Sequence, residues 1–198
     1  MTKTLQVTTV GLAAAAWVLA IQQMQGMDMG VATELGSFEF FVAAWVSMMA
    51  AMMLPGAVPA IARSARADGP VRAALFGVEY VAVWTLIGLA VFTLYRPHSS
   101  SAAAAIVIAA GVYELTPLKR SCRRRCRERV GSGLRFGLYC VGSSIGLMAM
   151  LVALGVMSVM WMAVVAALIV EQKLLPPKAL VDIPLALSIA ALGIVIFI

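Results

Sequence analysis

Donors for a conventional metal or catalytic centre are scarce in this chain. One histidine, three cysteines and nine acidic residues are spread over 198 positions. A structural zinc site wants four Cys or His ligands, and no H-E-x-x-H helix motif is present to build a catalytic one. No Gly-rich phosphate cradle or nucleophile–base pairing stands out either. Charge is rare as well, at 12% of residues, which sets the chain apart from ordinary soluble domains.

What fills the space is apolar. Hydrophobic residues make up 63% of the chain and the mean hydropathy is +0.98, the composition of an integral membrane protein. Crossing the hydrocarbon takes about 20 apolar residues per helix, and the candidate spans run over 5–23, 38–61, 71–95, 101–117, 137–155, 157–174 and 180–198. The expected fold is an all-α polytopic transmembrane bundle of seven spans, forming a single domain over 1–198. Six is the alternative, because only the tight stretch from Gly155 to Ser158 separates the fifth span from the sixth. The segments are long and continuously apolar, which disfavours a β-barrel with its alternating strands of about ten residues. The first segment resembles a signal peptide, but further spans follow at once, so it reads as a retained helix.

Basic residues orient this bundle. With the N-terminus in the cytoplasm, every Lys and Arg except Arg96, out of 15, falls on the cytoplasmic side, as the positive-inside rule requires. The formal charge of +6 is therefore a topology signal and a contact with anionic headgroups of the lipid bilayer. Nucleic acid is not an expected partner. The polybasic loop from Leu118 to Phe136 reads as a solvated, lipid-facing anchor.

Sulfur is the exception to the scarcity of donors. Trp45, Met48, Met49, Met52 and Met53 recur at helical spacing and share one broad face of the second span. That face is either a packing seam, since Met fills irregular apolar gaps, or a ladder of soft ligands. The outer loop from Met24 to Glu34 adds Met24, Met27 and Met29. Cys122, Cys126 and Cys140 lie on or near the cytoplasmic side, where thiols stay reduced. If residues 121–130 are helical, Cys122 and Cys126 point the same way and could bridge one ion. Flanking arginines would raise their thiolate fraction. Two or three soft donors suit Cu(I). Apolar filling or palmitoylation are the other readings of the cysteines. Glu79, Glu114 and Glu171 are ionisable groups within or near spans, hence functional candidates, unless they pair with nearby bases or cap neighbouring helices.

The segment from Gly111 to Arg127, with Tyr113, Pro117, Lys119, Cys122 and Cys126, resembles the signature of a bacterial family of predicted metal-binding integral membrane proteins, a domain of unknown function with copper-chaperone-like members. Trp45 to Pro55, Gly137 to Gly142 with Cys140, Leu147-Met148, Gly155 to Met157, Trp161-Met162 and Glu171 extend the resemblance over about residues 38–175. It implies metal binding in a bacterial inner membrane. One departure stands out: where the family pattern has Gly-Cys-Cys-Trp, this chain reads Gly142-Ser143-Ser144-Ile145. Either the site is built from Cys122, Cys126, Cys140 and Met148, or tight binding is lost here.

The leading expectation is Cu(I) handling. Met24, Met27 and Met29 would collect the ion, Met48, Met49, Met52 and Met53 would pass it along, and the cysteines would receive it, with transfer, transport or delivery to a periplasmic cuproprotein as the outcome. The Met-x3-Met pairs also resemble the pore pattern of eukaryotic high-affinity copper transporters. The alternative is a non-catalytic accessory or scaffold subunit of a larger membrane complex, in which Met and small residues are packing. An enzyme acting through Glu79, Tyr80, Glu114 or His98 is not expected.

Overall fold

Each expected span is the site of a helix. The structure, a computed structural model, describes residues 2–25, 35–128, 131–174 and 179–197. Among these are α1 (Thr2–Met24), α2 (Phe38–Asp68), α3 (Pro70–Leu94), α4 (Ser100–Glu114), α5 (Pro117–Arg127), α6 (Gly133–Gly155), α7 (Val159–Leu174) and α8 (Ala179–Phe197), with no strand among the described residues. Hydroxyl caps start four of them: Ser37, Ser99, Thr116 and Ser132 each accept a backbone N–H from the first turn that follows. Pro70 opens α3 directly after Gly69, whose φ of 88° sharply separates α3 from α2.

By length and composition α1, α2, α3 and α6 can each cross a membrane. Helix α4 is shorter and reaches that length only when counted together with α5 across a bend of 62° at Leu115-Thr116, and α8 is also shorter. Helix α6 ends at Gly155, whose φ of 128° favours glycine. Val156 and Met157 turn the chain there and α7 starts just beyond. The division at Gly155 to Ser158 is thus a genuine break between helices.

The most enclosed helices are α2 and α6. Helix α1 packs on α2, α2 on α3, α3 on α6, α6 on α4 and α4 on α8, while α7 lies against α2 and α6 and α5 against α6. Small residues permit the closest approaches: a Cβ on Gly111 of α4 would stand 2.9 Å from the Ala186 carbonyl of α8. Outward faces keep large apolar side chains exposed, Val7, Leu86, Leu94 and Leu187 among them, which in this composition face lipid.

The polybasic loop differs from its expected form. Residues 117–127 fold as α5, six of whose eleven residues are Lys or Arg, so it lies outside the apolar spans at the rim of the bundle. Lys119 and Arg123 are not solvated but buried, at 1% and 5% exposure. The reason is pairing. Lys119 bonds to Glu114, Gln172 donates to the other Glu114 oxygen at 2.7 Å, and Arg123 donates to Asp182 at 2.6 Å and to the Gln172 carbonyl at 2.8 Å. Buried charge is tolerated when paired in this way. The network ties α4, α5, α7 and α8 together at one end.

Candidate metal centre

The methionine face is fully enclosed. Met48, Met49, Met52 and Met53 each expose 1% or less, stacked along α2 at about 1.5 Å per residue. Trp45 closes the upper end, its indole N–H donating to the Trp84 carbonyl at 2.8 Å. Met24 is buried at the end of α1, next to Gln23, whose side-chain oxygen accepts from Ser47 at 2.8 Å. Met27 and Met29 lie outside the described residues.

At the lower end of the ladder four helices converge on Tyr80. Its hydroxyl lies 3.1 Å from Cys140 Sγ and 3.5 Å from the Met53 carbonyl, and accepts from Lys173 Nζ at 3.0 Å. Lys173 Nζ also lies 3.9 Å from Met53 Sδ. The lysine crosses α2 at Gly56, where any side chain would collide with its Cδ atom. Cys140 is fully buried and Cys126 nearly so. Met148 is buried further along α6.

The cysteines are placed by their neighbours. Cys122 and Cys126 do share a face of α5, turned toward α6, but they meet different neighbours. Cys122 Sγ packs over Gly142, where a Cβ would stand 2.6 Å away. Cys126 borders a cavity with Ser143, Ser144 and Lys173. Of its neighbouring thiols, Cys140 acts on it more strongly than Cys122. Burial first, and Cys140 second, push the Cys126 thiol up to about 12, against the opposing pull of Lys173. Burial also raises Cys122, outweighing Arg125. The expected net lowering by flanking arginines is therefore not found: burial outweighs Arg125 at Cys122, and Arg123 is bonded to Asp182.

Two of the candidate carboxylates have hydrogen-bond partners within the bundle. Glu114 bonds Lys119 and Gln172, and Glu79 accepts the Leu134 N–H at 3.1 Å, capping the start of α6. Glu171 is exposed, and Lys173 turns away from it toward Tyr80. At the other end His98 bonds the Ala153 carbonyl at 3.1 Å. Among the described residues no group of three or more His, Cys, Asp or Glu side chains could hold a metal ion. Sequence reasoning missed Asp182 and Gln172. A lone acid in the last apolar segment was the available signal for Asp182; nothing marked Gln172.

The architecture is that of a multi-pass membrane helix bundle with a buried methionine face that ends at Tyr80 and Cys140. The chain belongs to the PpoB2 family, described as copper chaperone, whose model matches residues 42–196. No curated protein and no solved structure matches it.

Proposed function

We propose that this chain is a copper chaperone of a bacterial inner membrane that carries Cu(I) as cargo, with Cys126 and Cys140 as the thiolate ligands and Met53 as the adjoining thioether. The observation that carries the reading is the meeting of Met53, Cys140 and Lys173 on Tyr80, beside Cys126, at the foot of a buried methionine ladder. Thiolates and thioethers select Cu(I) over harder ions. Thioethers hold it weakly enough for release, as passage along a series of sites requires. Met24, Met48, Met49 and Met52 lead to Cys126 and Cys140, with Cys122 as an exchange ligand at the rim.

A Cu(I) ion between two thiolates carries net negative charge, which is costly to bury unpaired. Lys173 is the counter-cation at hand. The Arg-rich rim marks the cytoplasmic end by the positive-inside rule. The bonds made by Glu79, Glu114 and His98 support a binding role rather than a catalytic one.

The alternative, an accessory subunit of a membrane complex, is favoured by one observation: Lys173 already fills the space against Met53. Anaerobic Cu(I) loading of the purified protein, followed by metal analysis, separates the two. Stoichiometric copper in the wild type, lost in Cys126→Ser/Cys140→Ser and retained in a surface control such as Arg66→Gln, is the expected result. A wild type that holds no copper overturns the chaperone reading in favour of the scaffold.

A further inference from the structure

The cavity beside Cys126 is strongly cationic. It has a volume of about 200 Å³ and is lined by Arg63 of α2, Arg123 and Arg127 of α5 and Lys173 of α7. Ser143 and Ser144 supply hydroxyls to its wall, and among the described residues no Asp or Glu lines it. Arg123 is offset from behind by Asp182. A bare cation approaching Cys126 through this space meets charge of its own sign, focused by low-dielectric walls. A small anion is drawn in, and guanidinium groups suit carboxylates and other oxyanions through their paired N–H donors. The volume lies below that of common drug-sized pockets, about 300–1,000 Å³. It admits a ligand of amino-acid or short-peptide size and no folded domain.

We propose that this cavity is the docking site for a small anionic thiolate complex of Cu(I), so that the cargo reaches Cys126 as an anion and not as a free cation. The inference rests on the copper reading above and adds the form in which copper arrives. Ligand exchange then balances without any redox change. Both Cu–S bonds to the incoming thiolates break and bonds to Cys126 and Cys140 form. The two thiol protons leave on the departing thiolates, copper stays Cu(I), and the bound unit keeps its net charge of −1. The carboxylates of the carrier engage Arg63 and Arg127, while Lys173 at the inner wall meets the transferred unit.

The test compares copper loading from two donors, the small anionic Cu(I) bis-mercaptoacetate complex and cationic Cu(I) tetra-acetonitrile, in full-length protein held in zwitterionic nanodiscs. In the wild type the anionic donor loads faster, and added salt erodes its advantage. In Arg63→Gln/Arg127→Gln that advantage falls about 10-fold or more, the scale of electrostatic steering, while loading from the cationic donor does not fall. Arg63→Lys/Arg127→Lys keeps the charge and keeps most of the preference, which guards against a mere folding defect. Equal loading from both donors, unaffected by the substitutions, overturns the inference and leaves the chaperone reading standing. No loading from either donor overturns both. If the double variant instead loses co-purified anionic lipid with loading unchanged, the cavity is a headgroup site and the inference fails.

Discussion

Lys173 Nζ lies 3.0 Å from the Tyr80 hydroxyl and 3.9 Å from the Met53 sulfur, so a fixed positive charge stands among the soft donors. Its partners come from three other parts of the chain: α2, α3 and, through Tyr80, Cys140 of α6.

As counter-cation to a buried Cu(I) dithiolate, Lys173 should be felt in affinity. Lys173→Gln should weaken Cu(I) binding roughly tenfold, equivalent to about 1.4 kcal/mol, with Lys173→Arg recovering part of the loss. Competition against a chromophoric Cu(I) chelator measures it. Unchanged affinity in Lys173→Gln would assign the lysine to packing alone.

The Arg123–Asp182 pair should dominate local stability. Removing one partner leaves a buried charge uncompensated, and Asp182→Ala should cost about 3–5 kcal/mol. Replacing both, as Arg123→Met/Asp182→Leu, should restore much of that, although the Gln172 carbonyl would still lose its donor. Denaturation midpoints in detergent provide the comparison. Equal stability of the single and double variants would contradict the pairing argument.

Gly142→Ala should push α5 away from α6, because the new methyl would stand 2.6 Å from Cys122 Sγ. Overpacking of this kind costs about 1–3 kcal/mol. The Tyr113 hydroxyl, which donates to the Gly142 carbonyl at 2.5 Å, would be disturbed in the same step. A lowered melting temperature together with faster alkylation of Cys122 is the expected pair of results.

Thiol reactivity should rank by burial. Cys122 is half-buried and Cys126 and Cys140 are buried, so a water-soluble maleimide should label Cys122 first, as peptide mass spectrometry would record. The thiolate is the reactive species, and a raised pKa means less of it at a given pH. For Cys126, held up at about 12, labelling should keep rising by about tenfold per pH unit beyond the usual thiol range near 8.5. In the unfolded chain it should level off there. A plateau near pH 8.5 in the folded protein would refute the burial argument.

Much of the architecture was legible in the chain. Runs of about 20 apolar residues can satisfy their backbone groups in lipid only as helices. The shared face of Met48, Met49, Met52 and Met53 followed from helical periodicity. The polybasic segment was misread at Lys119 and Arg123, because a one-dimensional pattern of charge carries no record of acids brought from elsewhere. Glu114 and Asp182 reach them from α4 and α8.

The sequence by itself determined the helices, the burial of a sulfur-rich face and the concentration of positive charge in α5, since these depend on local spacing and on the cost of placing polar groups in hydrocarbon. Only the tertiary structure decided which donors meet. Cys140 meets the Tyr80 hydroxyl, and Lys173 reaches Tyr80 rather than Glu171, because helix packing brings side chains together across 60 to 93 positions of chain, where no periodicity extends.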